Sequence, residues 1–183
     1  SVVLLASISA FAMDTDLAAE DTRLKVRLGI KGPQNFNREI LLTFDKRATD
    51  NFDKGFDVHM FTDFPNDVYW VQGENHLVIQ ATDFMYPSRE FPLGIKSDGS
   101  GPISIKVDRL ENPSPYMEVY IRDNETLETF DILTDSFEVE LEEGEHNDRY
   151  TLVFERGVEV SDVVSLPYDT PFKTMYKDTR LFI

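Results

Sequence analysis

The sequence predicts an all-β protein, built as an antiparallel β-sandwich of the jelly-roll or immunoglobulin-like kind. Apolar and polar residues alternate with a period of two in many short runs. Turn-forming residues separate these runs at intervals of about 8–15 residues, a spacing typical of sandwiches. No segment longer than about ten residues has the apolar stripe of an amphipathic helix.

The predicted strands follow one another along the chain with one buried and one solvated face each. In the first, Leu24, Val26, Leu28 and Ile30 share one face. The strand cores lie at residues 24–30, 40–44, 77–79, 103–107, 117–121, 137–141 and 150–154. Turn signals rich in Gly, Pro, Asn and Asp lie at residues 32–33, 73–75, 98–102, 112–115, 123–124 and 144–147.

The chain divides into three predicted parts. Residues 1–20 are interpreted as a strand and linker from a preceding module, because their apolar stretch is too short to span a bilayer and follows no basic region. Residues 21–156 form the β-sandwich domain. Residues 157–183 are interpreted as an exit linker with Pro167 and Pro171, running into the first strand of another module.

Composition excludes several classes of function. Lys and Arg number 18 against 34 Asp and Glu, which gives 18 − 34 = −16 and a pI of about 4.4. Because nucleic acids and anionic membranes require a basic face, we predict neither a nucleic-acid partner nor direct membrane insertion. The chain has no cysteine and three histidines, and it contains no recognisable catalytic motif, so we predict that it is not an enzyme.

One loop, residues 48–57, carries candidate metal ligands. Asp50, Asn51, Asp53 and Asp57 offer the oxygen atoms that Ca²⁺ prefers, and Gly55 permits a sharp turn between them. The twelfth position counted from Asn51 is threonine rather than the glutamate of an EF-hand. The alternative is that these residues only form turns while the neighbouring phenylalanines anchor the loop.

Two other clusters have a functional and a structural interpretation. Tyr69, Trp70 and Tyr86 could stack on sugar rings, or they could pack in the core as strand aromatics often do. The alternating Glu138, Glu140 and Glu142 form one acidic strand face, which we interpret as solvated and resistant to edge pairing.

The order and spacing of several motifs resemble one known region. The motifs are Arg27-Leu-Gly-Ile30, Asn37-Arg-Glu-Ile-Leu-Leu-Thr-Phe44, Asp67-Val-Tyr-Trp70, His76-Leu-Val-Ile-Gln80, Phe91-Pro-Leu-Gly-Ile95 and a stretch from Gly144 to Phe154. Together with the 48–57 loop, they resemble the β-sandwich that precedes the C-terminal sorting domain in Bacteroidetes surface proteins exported by the type IX secretion system. The resemblance covers residues 24–154, and the stretch from Met175 to Ile183 is similar to the start of a sorting domain.

The resemblance implies a location and partners, but no catalytic residues. It implies the cell surface of a Gram-negative bacterium, and contact of the C-terminal end with translocon and shuttle proteins of the outer membrane. We therefore predict a non-catalytic extracellular module of an adhesin-like protein, linking upstream domains to the sorting signal. The alternative is a carbohydrate-binding module for cell-surface polysaccharide, with Ca²⁺ as its candidate cofactor.

Overall fold

The computed structural model describes residues 20–62 and 64–156, together with the backbone of 175–177 and 180–182. Eleven strands form one mixed sheet that curls into a nearly closed barrel. They are β1 (Lys25–Lys31), β2 (Asn37–Phe44), β3 (Val58–His59), β4 (Asp67–Gln72), β5 (Asn75–Thr82), β6 (Glu90–Ser97), β7 (Ile103–Glu111), β8 (Met117–Asp123), β9 (Thr129–Asp131), β10 (Phe137–Val139) and β11 (Gly144–Arg156). Strands β12 (Met175–Lys177) and β13 (Arg180–Phe182) form a separate antiparallel pair.

The sheet follows the order β10-β7-β1-β2-β5-β4-β6-β11-β8-β9, with β3 on β5. Neighbours are antiparallel except β2 and β5, which pair in parallel. Ile132 bridges β8 and β7, the strands next to the two ends of this path, because its N–H donates to Val119 in β8 (3.1 Å) and its carbonyl accepts from Val107 in β7 (2.8 Å). The all-β prediction is confirmed, whereas a sandwich of two separate sheets is not.

The core is the inside of this curled sheet. Val26, Leu28 and Ile30 are fully buried, as their alternation predicts. Also in the core, four aromatic rings (Phe44, Trp70, Phe91 and Phe154) meet edge to face with centroids 5.8–6.5 Å apart. This geometry suits the charge distribution of aromatic rings, so the cluster stabilises the core beyond its buried area.

The predicted turns are correct at some positions and wrong at one. Residues 73–75 form the hairpin between β4 and β5, where Gly73 has a φ of +60°. Residues 144–147, which the composition predicts as a turn, instead begin β11, whose register shifts between His146 and Tyr150. Because the pairing is irregular at this point, the polar run Gly-Glu-His-Asn can be part of a strand.

The main sheet lies within the predicted domain limits of residues 21 and 156. The first described strand begins at Lys25 and the main sheet ends at Arg156. The predictions for residues 1–19 and 157–174 lie outside the described residues. Across the part of the chain that the structure describes, no helix has the length and hydrophobicity needed to cross a bilayer.

Candidate functional site

The 48–57 loop is held by carboxylates that accept hydrogen bonds from the backbone. Asp57 is only 5% exposed. Its Oδ1 accepts the N–H of Ala81 in β5, and its Oδ2 accepts the N–H of Asp53, both at 2.7 Å. Burial raises the pKa of Asp57, and the two N–H groups oppose that rise. Asp57 therefore anchors the loop to the barrel.

Each of the other three predicted ligands is hydrogen-bonded to a threonine hydroxyl. Asp53 accepts the hydroxyl of Thr49 at 2.9 Å, and the N–H of Asn51 donates to the same hydroxyl at 3.1 Å. Asp50 accepts the hydroxyl of Thr82 at 2.6 Å. Among the described residues, no group of three or more His, Asp or Glu side chains converges as a metal site. These contacts favour the turn interpretation, and calcium binding stays a prediction.

The two phenylalanines of this loop also make specific contacts. Phe52 stacks on His59 with ring centroids 4.4 Å apart. The guanidinium carbon of Arg47 lies over the ring of Phe56, 5.3 Å from the ring centroid. Both contacts agree with the expectation that phenylalanines anchor the loop, since each ring covers a neighbouring side chain.

Arg89, which is not among the residues predicted from the sequence, clamps this loop to the loop between β5 and β6. Its guanidinium is 7% exposed, is ion-paired with Asp50 and Asp83, and donates to Thr82 and to the carbonyl of Phe84 (2.8 Å). Burial lowers the pKa of Arg89. The available signal was an arginine among closely spaced aromatic residues, which often mark a cation–π contact.

Arg89 also supports the exposed aromatic loop. Its guanidinium lies 5.1 Å from the ring centroid of Tyr86 and 5.7 Å from that of Phe91. Tyr86 is 49% exposed and Phe84 is 66% exposed. Of the three predicted stacking residues, Tyr86 thus offers an open ring face at a fixed position.

The structure corrects the assignment of Tyr69 and Trp70 as stacking residues, because both are fully buried. The indole N–H of Trp70 donates to the carbonyl of Leu41 at 3.0 Å. Tyr69 stacks on His76 at 4.2 Å, and its hydroxyl donates to Asn147 at 2.8 Å. Each ring is covered on its own side of β4, so neither has a face to present to a sugar.

Two clefts flank residues 83–89, the loop between β5 and β6 that carries Tyr86 and is called the Tyr86 loop. One has a volume of about 650 Å³ and is lined by residues 20–24, 44–47 and 83–85. The other has about 310 Å³ and is lined by residues 85–87, 114–115, 117 and 154–156. Met85 lines both clefts. The segments that precede β1 and end β11 therefore lie at the same end of the barrel.

The three glutamates predicted as one acidic strand face are solvated, but only Glu138 lies in a strand, because β10 ends at Val139. Glu138, Glu140 and Glu142 are exposed, while the alternating Phe137 and Leu141 are buried. The described site residues thus define an acidic all-β module whose prominent charged clusters, the 48–57 loop and the Arg89 clamp, hold loops in place.

A family model described as a domain of unknown function (DUF8693) matches residues 10–154. Since the match covers more than half of the chain, the protein belongs to this family. No curated protein and no solved structure matches the chain.

Proposed function

We propose that this chain is a non-catalytic module of an adhesin-like protein exported by the type IX system to the surface of a Gram-negative bacterium of the Bacteroidetes. In this proposal it joins upstream domains to a C-terminal sorting signal. Its C-terminal end then contacts translocon and shuttle proteins of the outer membrane. The motif order between residues 24 and 154 supports this origin.

The observation that carries the structural role is the placement of the two described ends. Residues 20–24 and 154–156 line clefts that share Met85. A module entered and left at one end projects from the junction of its flanking segments. It can therefore present its far surface while holding upstream and downstream segments side by side.

Contacts of the segment before β1 support a rigid attachment of that segment to the barrel. Arg23 is ion-paired with the buried Asp45 at 3.2 Å, and Asn112 donates to the carbonyls of Asp21 and Arg23 at 2.9 Å. The segment before β1 is therefore bound to Asp45, the residue that follows β2, and to the turn after β7. Such cross-links restrict motion at the point where the chain enters the barrel.

Surface labelling of intact cells tests the proposed export. An epitope would be inserted after Glu74, an exposed residue in the β4–β5 turn, in the parent protein. We expect antibody labelling of intact cells, and loss of that labelling in a strain without the translocon. Export that persists without the translocon would contradict the proposal. A second strain with the same epitope on a protein exported by another route controls for outer-membrane integrity.

A second candidate function is contact with cell-surface polysaccharide through Tyr86. The exposed ring held over Arg89 favours it. We expect Tyr86→Ala to weaken binding to immobilised polysaccharide at least tenfold, with Phe130→Ala, another half-exposed aromatic residue, as the matched control. Equal binding by both variants would remove this candidate.

A further inference from the structure

A groove lies on the outer face of the sheet formed by β10, β7, β1 and β2. It has a volume of about 460 Å³, which is within the range of small-molecule sites. Glu138, Ser104, Lys31 and Asn37 form one row across the four strands, since each is the register partner of the next. All four line the groove. It shares no lining residue with the clefts beside Tyr86.

A bulge and a glycine build the floor of this groove together. The register of β1 and β7 passes from Arg27–Arg109 to Leu28–Val107, so Asp108 is an extra residue in β7. Its carboxylate extends across β1 above Gly29, where a Cβ atom would come within 1.9 Å of Oδ2. Bulges redirect side chains in this way and are common beside binding sites.

The groove presents donors and acceptors without net charge. Lys31 and Lys106 oppose Asp108 and Glu138, so the formal charge of its lining is 2 − 2 = 0 in a chain of −16. The ammonium of Lys106 is already 3.2 Å from a carboxylate oxygen of Asp108. The serine at position 104 adds a hydroxyl that can donate and accept.

This lining selects a class of ligand by its chemistry. An anion meets two carboxylates and the negative field of the whole chain, and a cation meets two ammonium groups. An apolar ligand would leave the polar groups of the floor unpaired. We propose that the groove binds a neutral, polyhydroxylated ligand, namely a saccharide chain, whose hydroxyls both donate and accept. The proposal is independent of export and of Tyr86.

Affinity electrophoresis of the full chain tests the proposal. The probes are dextran, laminarin, pullulan and xyloglucan as neutral polysaccharides, with alginate as an anionic one. We expect at least one neutral polymer to retard the protein and alginate to have no effect. Ser104→Tyr fills the centre of the row, so we expect it to weaken binding at least tenfold. The matched control is Ser100→Tyr, at an exposed serine outside the groove.

Chemical-shift mapping on the unmodified protein distinguishes binding in the groove from binding elsewhere on the barrel. This readout does not depend on the two tyrosine variants, whose folding circular dichroism verifies. Shifts at Gly29, Ser104 and Lys106 support the proposal. Shifts confined to the Tyr86 loop, retardation by alginate alone, or no binding to any of the neutral polymers would overturn it.

Discussion

Replacing Arg89 with alanine should destabilise the protein by about 3 kcal/mol. The guanidinium is 7% exposed and joins Asp50, Asp83, Thr82 and the carbonyl of Phe84. Asp50 and Asp83 have side chains 69% and 43% exposed, so water can solvate them after the change and their pairs contribute about 1 kcal/mol or less each. The main cost is the loss of the charge-assisted bonds to Thr82 and Phe84, at about 1.5 kcal/mol each.

Urea unfolding followed by fluorescence provides the measurement. The chain has one tryptophan, Trp70, and it is fully buried, so its emission reports the loss of the core. The free energy of unfolding follows by linear extrapolation. Arg89→Lys keeps the charge but lacks the planar fork of donors, so we expect a smaller loss of about 1–2 kcal/mol.

The control is an arginine that makes little contact. Arg109 is 63% exposed, and its nearest carboxylate oxygen, on Glu111, is 3.9 Å away. We expect Arg109→Ala to change stability by about 0.5 kcal/mol or less. If Arg89→Ala costs no more than Arg109→Ala, Arg89 does not hold the two loops together.

Two further predictions concern pH and the placement of the chain ends. The hydrogen bond from Arg149 lowers the pKa of Asp123 in the folded protein. The pair therefore stabilises the fold fully at pH values above the unfolded pKa of Asp123, about 3.9. This stabilisation is lost as the pH falls through the lower pKa that Asp123 has in the folded state. Urea unfolding should therefore show a cost of Arg149→Gln at pH 6 that shrinks toward pH 2; a constant difference would contradict it. Because the chain has no cysteine, spin labels at Thr22→Cys and Arg156→Cys report one distance. We expect the distance from Thr22→Cys to Arg156→Cys to be shorter than the distance from Thr22→Cys to Ser100→Cys, since β1 alone spans about 20 Å. An equal or longer distance between the first two labels would argue against a shared end.

The sequence pattern predicts strand faces well where only one face is covered. Val26, Leu28 and Ile30 point inward because a period of two places them on one side of β1. The same pattern fails at Gly29, which lies on the outer face yet is buried beneath Asp108. A bulge changes which residues meet across strands, and in β7 its place is visible as a break in the alternation, since the apolar residues at 103, 105 and 107 are followed by Leu110.

Pairing and closure depend on contacts distant in sequence. Parallel and antiparallel strands have the same side-chain period, so the parallel pairing of β2 with β5 could not be read from it. Closure through Ile132 likewise depends on two backbone hydrogen bonds to β7 and β8. Any residue except proline could donate one of them and any residue could accept the other, so its side chain gives no indication.

For Trp70, a better interpretation of the sequence was available. Val68, Tyr69, Trp70 and Val71 form a continuous apolar run without polar alternation. Such a run is typical of a strand covered on both faces, which is the environment that the structure shows for Tyr69 and Trp70. Their burial, and the loss of two of the three predicted stacking residues, follow from this pattern rather than from aromatic content.

The 48–57 loop gives a test that distinguishes a metal site from turn chemistry. Both carboxylate oxygens of Asp57 already accept one backbone N–H group each, so its carboxylate is held in place whether or not calcium is present. Asp57→Ala leaves those two donors without acceptors, at about 1–3 kcal/mol for each that stays buried. We therefore expect a loss of about 3 kcal/mol that is the same in calcium and in chelator. Asp57→Asn keeps one carbonyl oxygen and should lose less.

Calcium binding predicts a different pattern when thermal unfolding is measured with excess calcium and with chelator. A ligand at one hundred times its dissociation constant stabilises the folded state by about 2.7 kcal/mol. That gain would appear only in the unmodified protein and would disappear in Asp53→Ala as well as Asp57→Ala. Asp53→Ala is informative because its carboxylate bonds only locally, to Thr49, so its structural cost should be small. A calcium-dependent gain lost in this variant would show that the oxygens rearrange around a metal, whereas a small, calcium-independent effect would establish the loop as turn chemistry.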